Sequence, residues 1–254
     1  MQLAAAGARL ALCDVDMHGL AETRRLAQGT EKTISLHHVD VANRKRMNEF
    51  SLDVLEEQGQ VDLLINNAGI SFTPTLFDDF SPEQFEKLLN INMWGVFNGI
   101  HAFLPHMRNR PEAGIVNIAS LAGLVGLYGY TPYSMSKFAV RGLSEALQSE
   151  LVDSNVSLLV VYPGGIKTNI IKHAPDLADN QREAAHTTFS KSALLTSDDA
   201  ARKILKAVKK KKNRLVLGND AKLVNNLRRL LGQRFPAVIN SIFSKAMFEG
   251  TQAS

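Results

Sequence analysis

The 254-residue sequence predicts an α/β fold in which a doubly wound parallel sheet is covered by helices on both faces. Three observations carry this expectation. Five short runs are almost continuously apolar: RLALC (9–13), VDLLIN (61–66), GIVNIA (114–119), VSLLVVYP (156–163) and RLVLG (214–218). Strands of that kind are buried on both sides, the situation of a parallel sheet between helix layers. Between them, stretches of helical period occupy 17–28, 43–58, 82–109, 132–153, 197–212 and 220–231. Finally, a chain of this length that is 45% hydrophobic suits one undivided α/β domain, and no repeat or linker breaks residues 1–254.

The elements follow in order. Leu3–Ala6 favours helix, Gly7-Ala8 reads as a turn, and Leu10–Cys13 forms a strand that ends at Asp14. Helix, glycine turn and strand ending in Asp make the second half of a dinucleotide-binding βαβ unit. Farther on, Thr196 to Asp199 has capping-box spacing, and Ala200, Ile204, Ala207 and Val208 share the helix face that follows. Residues 169–195, rich in Asn, Asp, His, Ser and Thr, read as a long loop, a frequent form of active-site cover, and are expected to be a substrate lid. Residues 219–254 are expected to form a C-terminal helical extension. Within it Val238, Ile239, Ile242, Phe243 and Met247 share one face, which predicts core or subunit packing rather than peripheral membrane contact.

Composition removes several functions. The net charge is only +4, with much of it in Lys209–Lys212 at a helix C-terminus, where it favours the macrodipole. Nucleic-acid binders spread basic residues over a face with aromatic partners, so no nucleic-acid partner is expected. The single cysteine, Cys13, excludes an internal disulfide and fits a reducing compartment. No 18-residue apolar run and no signal peptide are present, so a cytoplasmic protein is expected. His37-His38 lacks partners at ligand spacing, so no metal is expected.

The strongest chemical signal is IASLAGLVGLYGYTPYSMSKFAV. Tyr133 and Lys137 are four residues apart and therefore project from one helix face. That spacing is common by chance, but Ser120 adds context. It ends the strand run GIVNIA, where open α/β sheets bind ligands, and precedes Tyr133 by 13 residues.

With these residues the chain resembles the short-chain dehydrogenase/reductase family at several independent places. NNAG (66–69) follows VDLLI, NINMWGVF holds Asn92, YSMSK holds Tyr133 and Lys137, and YPGGIKT (162–168) looks like the turn flanking the nicotinamide. The resemblance implies a Rossmann-like fold and hydride transfer between a nicotinamide cofactor and a secondary alcohol or ketone. Tyr133 would be the general base, Ser120 would hold the substrate oxygen, Lys137 would acidify the phenol, and Asn92 would fix a water leading from Lys137 to solvent. Physical chemistry permits this. A phenol of pKa about 10 needs a shift worth roughly 4 kcal/mol to act near neutrality. A Lys⁺ at about 4 Å supplies about that much at an effective dielectric of 20.

The resemblance also assigns cofactor contacts. Asp14 would accept the adenosine ribose hydroxyls and favour NAD, since a carboxylate repels the extra phosphate of NADP, although NADP is not excluded. Asp16 competes as a turn former. Asp40 and Val41 would meet the adenine; Asn66, Asn67, Ala68 and Gly69 would let the backbone approach; Pro163, Gly164, Ile166 and Thr168 would border the nicotinamide. Leu121, Leu124, Val125, Leu127 and Tyr130 suggest an apolar substrate or mere packing. Met93 and Trp94 fit a buried helix that pairs subunits, so a homodimer or homotetramer is expected. One expected element is missing: the family opens with a strand and a T-G-x-x-x-G-x-G loop that holds the pyrophosphate, whereas Met1 falls in the helix after it. The resemblance therefore implies an N-terminally incomplete dehydrogenase, or else a non-catalytic, dimerising relative.

Overall fold

The computed structural model describes residues 1–30, 33–171, 174–178, 180–183, 186–187 and 195–238. Its elements begin with α1 (Gln2–Ala5), β1 (Leu10–Asp14), α2 (Met17–Leu26), β2 (Ile34–His38), α3 (Arg44–Gln58) and β3 (Leu63–Asn66). After α4 (Pro82–Leu89) a π-helical turn, Asn90–Trp94, leads into α5 (Gly95–Met107) and β4 (Ala113–Ile118). Then follow α6 (Thr131–Glu150), β5 (Val156–Pro163), the two-residue strands β6 (Ile166–Lys167) and β7 (Leu195–Thr196), α7 (Ser197–Lys209), β8 (Arg214–Leu217) and α8 (Asn219–Leu231).

All strand pairs are parallel, as the continuous apolar runs require. Four strands, in the order β3-β4-β5-β8, make the main sheet, and β1 pairs with β2 in a second. Among the described residues β1 and β3 therefore each have a single hydrogen-bonded neighbour. The main sheet buries different residues on its two faces. Ile115, Leu158, Val160 and Tyr162 join α3, α5 and α6 in the larger core, where α8 adds Val224 and Leu227. Val116, Leu159 and Val161 meet Ala200 and Ala207 of α7. The capping of α7 is as the spacing predicts: Thr196 Oγ1 accepts the Asp199 amide at 3.1 Å.

Two local expectations change. Ile34–His38 carries two histidines and does not read as an apolar run, yet it pairs with β1 in full register. Ile34 and His37 turn inward while Ser35 and Leu36 are only half-buried, so its apolar content alone does not reveal the strand. The helix read over 82–109 is interrupted by the π-turn, which brings Asn92 to complete burial. Of the tail face, Ile239, Ile242, Phe243 and Met247 lie outside the described residues, as does part of 169–195.

Amides that lack a neighbouring strand open more readily than those inside a ladder. Hydrogen exchange should thus protect β4 and β5, paired on both sides, far better than β1 and β3. Equal protection of all four strands would contradict the split sheet.

Candidate active site

Ser120, Tyr133 and Lys137 converge. Ser120 follows β4 and caps a short 3₁₀ turn, Leu121–Gly123, through its Oγ, which accepts the Ala122 amide at 3.1 Å. Tyr133 and Lys137 lie in the first turns of α6, which starts with Pro132 near its N-terminus. Burial pushes the Tyr133 phenol above its ordinary value, and a side-chain hydrogen bond with Ser120 pulls it the other way. The Lys137 ammonium lies 5.6 Å from the Tyr133 ring centre, is only 4% exposed, and donates to the Ile118 carbonyl at 3.2 Å. Desolvation lowers it to about 8.

In the protein alone burial is the largest influence on the Tyr133 phenol and holds it above its ordinary value against the Ser120 hydrogen bond.

Asn92 is spent on structure. Its Oδ1 accepts the Ile70 amide at 2.8 Å, and its Nδ2 donates to the Ile70 carbonyl at 2.9 Å and to Ser136 Oγ at 3.3 Å. It thereby ties the loop after β3 to α6. Gly69 sits between: a Cβ there would stand 3.1 Å from Asn92 Oδ1 and 3.4 Å from Lys137 Nζ. Its lack of a side chain keeps the ammonium approachable.

The remaining residues divide. Asn66 turns away from this loop and donates to Asn117 Oδ1 at 2.8 Å, Asn117 donates to Ser144 Oγ at 2.9 Å, and Ser144 donates to the Val140 carbonyl at 2.6 Å. Gly99 is required beside that chain, because a Cβ there would lie 2.2 Å from Asn66 Oδ1. Asn67 and Ala68 are exposed in the loop. Asp14 and Asp16 separate as turn residues: Asp16 caps α2 by accepting the Gly19 amide, and Asp14 Oδ1 accepts the Asp16 amide at 3.0 Å. Asp40 Oδ1 accepts the Ala42 amide, and Val41 packs where a Gly95 side chain would otherwise go. Leu124 and Val125 are buried, 6% and 1% exposed, and pack in the larger core. Trp94 is 39% exposed beside Phe97 rather than buried in the chain itself.

A family model described as short chain dehydrogenase matches residues 1–182. The chain belongs to the short-chain dehydrogenase family. The match begins at residue 1 and gives no support to the expected missing segment. The putative oxidoreductase SadH of Mycobacterium tuberculosis is 36% identical over 236 residues, 91% of this chain and 85% of that protein. A short-chain dehydrogenase/reductase from Burkholderia phymatum, solved with NAD, superposes with a TM-score of 0.81 at 26% identity, covering 91% of this chain and 87% of its own. ElxO, solved with NADP, gives 0.70 at 25% identity over 85% and 89%. The fold is thus the Rossmann-like fold of an oxidoreductase family whose members bind NAD or NADP.

Two residues of this chain escape the sequence reading. Asp176, inside the expected lid, accepts from the Thr73 amide at 2.8 Å and from the Thr73 hydroxyl, and lies near enough to Tyr130 to raise it along with burial, which pushes that phenol to about 12. Asp220, in the first turn of α8, accepts the Gly165 amide at 2.7 Å. A Cβ on Gly164 would meet its carboxylate at 2.2 Å. Asp220 therefore holds the Pro163–Ile166 turn, and only its 55-residue separation from Gly165 hides it.

Gly164→Ala should destabilise the protein by roughly 1–3 kcal/mol, as overpacking does. Adding Asp220→Ala should recover part of that loss, a coupling measurable by denaturant unfolding of the two single variants and the double. Strict additivity would contradict the contact.

Proposed function

We propose that this chain is an NAD-dependent dehydrogenase acting on a secondary alcohol, or in reverse a reductase of the ketone. The observation that supports it best is the convergence of the Ser120 hydroxyl, the Tyr133 phenol and the buried Lys137 ammonium. Tyr133 Oη, as the phenolate, takes the hydroxyl proton of the alcohol and becomes the neutral phenol, while the C–H bond breaks and its electron pair leaves with the hydrogen as hydride. The bound nicotinamide supplies the acceptor for that hydride, or the donor in the reverse direction. Ser120 Oγ holds the reacting oxygen beside Tyr133.

The surroundings suit a dinucleotide. Lys137 has three donors, one of which goes to Ile118, and ribose hydroxyls match the others. Gly69 leaves the approach to that ammonium open. Asp14, exposed at the end of β1, would accept the adenosine ribose hydroxyls and favour NAD over NADP. Asp40, Val41, Asn67, Ala68, Pro163, Gly164, Ile166 and Thr168 would complete the contacts. Lys137 and the oxidised nicotinamide together would draw the phenol down toward neutrality. Asn92 would act as a positioning residue, holding the Gly69 loop against α6.

A panel of apolar ketones tested with NADH checks this. Tyr133→Phe should lower kcat by about a thousandfold, within the range for lost acid–base catalysis, while NADH binding measured by fluorescence persists. Turnover retained in that variant would overturn the reading.

A further inference from the structure

A recess of about 760 Å³ lies between α6, β8 and α8, and none of the residues gathered around Tyr133 lines it. Its wall carries four arginines, Arg141, Arg214, Arg228 and Arg229, over an apolar floor that includes Phe138 and Phe235. Two of the guanidiniums are ordered before any ligand arrives. Arg214 stacks on Tyr162 at 5.3 Å and donates to Asn225 Oδ1 at 3.2 Å. Arg228 stacks on Phe235 at 5.8 Å and donates to the Gly232 carbonyl at 3.0 Å. Stacked guanidiniums keep edge donors for a planar or tetrahedral oxyanion.

Arg141 pairs with Glu145 at 2.8 Å, but among the described residues no carboxylate pairs with Arg214, Arg228 or Arg229. Residues 201–236 contain twelve Lys and Arg and one acidic residue, Asp220, in a chain whose whole net charge is +4. Three arginines with no carboxylate partner among the described residues, set around one concavity, repel each other and gain most from an anion between them. The aromatic and aliphatic floor asks for something apolar beside it.

We propose that this recess is a second binding site, for the anionic head group of an amphiphile: a phosphate or carboxylate held by Arg214, Arg228 and Arg229, with its hydrocarbon part against Phe138 and Phe235. The volume lies in the range of sites that enclose small ligands. Two sources share that chemistry, a free anionic amphiphile and a lipid in an anionic bilayer.

Dodecyl phosphate titrated into the full chain by calorimetry, at concentrations below micelle formation, tests it. It should bind at least about tenfold more tightly than inorganic phosphate or dodecyl maltoside, and Arg228→Gln with Arg229→Gln should each cost about tenfold, the range for a hydrogen bond to a charged group. Arg214→Gln gives an independent check, and circular dichroism confirms folding of each variant. Co-sedimentation with phosphatidylglycerol vesicles, lost in the same variants, would assign the head group to a bilayer; dodecyl phosphate binding without sedimentation would assign it to a free amphiphile. Equal binding of the maltoside, or affinity unmoved by the arginine variants, would overturn the site.

Discussion

A lysine ammonium held out of water organises this molecule. Lys137 is 4% exposed with one backbone acceptor, and desolvation brings it to about 8. The sign of the cost follows from linkage. Below about pH 8 the group is charged in both folded and unfolded chains, and burial costs of the order of 3 kcal/mol. Between about 8 and its ordinary 10.5 the folded chain releases the proton first, so stability rises with pH through that window. A protein tolerates such a group when neighbours over-determine its place. Gly123 lets the α6 backbone pack close, since a Cβ there would stand 2.7 Å from the Lys137 carbonyl.

The same economy of space runs through the surroundings. Asn92 comes inward because the helix between α4 and α5 widens to a π-turn, a device common at functional sites. Its amide then clamps Ile70, and with it Gly69, against the helix that carries Tyr133 and Lys137. On the opposite side Asp220 fixes the turn after β5 from a helix far along the chain. Family membership explains why these pieces occur together; packing explains how they are held.

Much of this was legible in the residues. Continuous apolar runs identify β4 and β5 because both faces of those strands are covered, and the Thr196–Asp199 spacing marks the start of α7. Tyr133 and Lys137 are readable because helical spacing fixes their shared face. Other features were not. β2 buries Ile34 and His37 with Ser35 and Leu36 only half-buried between them, so apolar content alone does not show it. Asn66 reads from its motif as a place of close backbone approach, but the service of its side chain to Asn117, a partner 51 residues away, is not readable there. Asp176 and Asp220 act through contacts between distant segments, which local pattern cannot encode. The phenol's acidity also escapes, since it depends on burial weighed against a Ser120 hydrogen bond that only the fold sets.

The most direct test is to watch the ammonium itself. Side-chain nitrogen NMR of lysine-labelled protein, with Lys137 assigned by its disappearance in Lys137→Arg, gives the titration of that single group. The account predicts a midpoint near pH 8. A midpoint at or above the ordinary lysine value of 10.5 would show a solvated amine, and the buried cation on which the site is built would not exist.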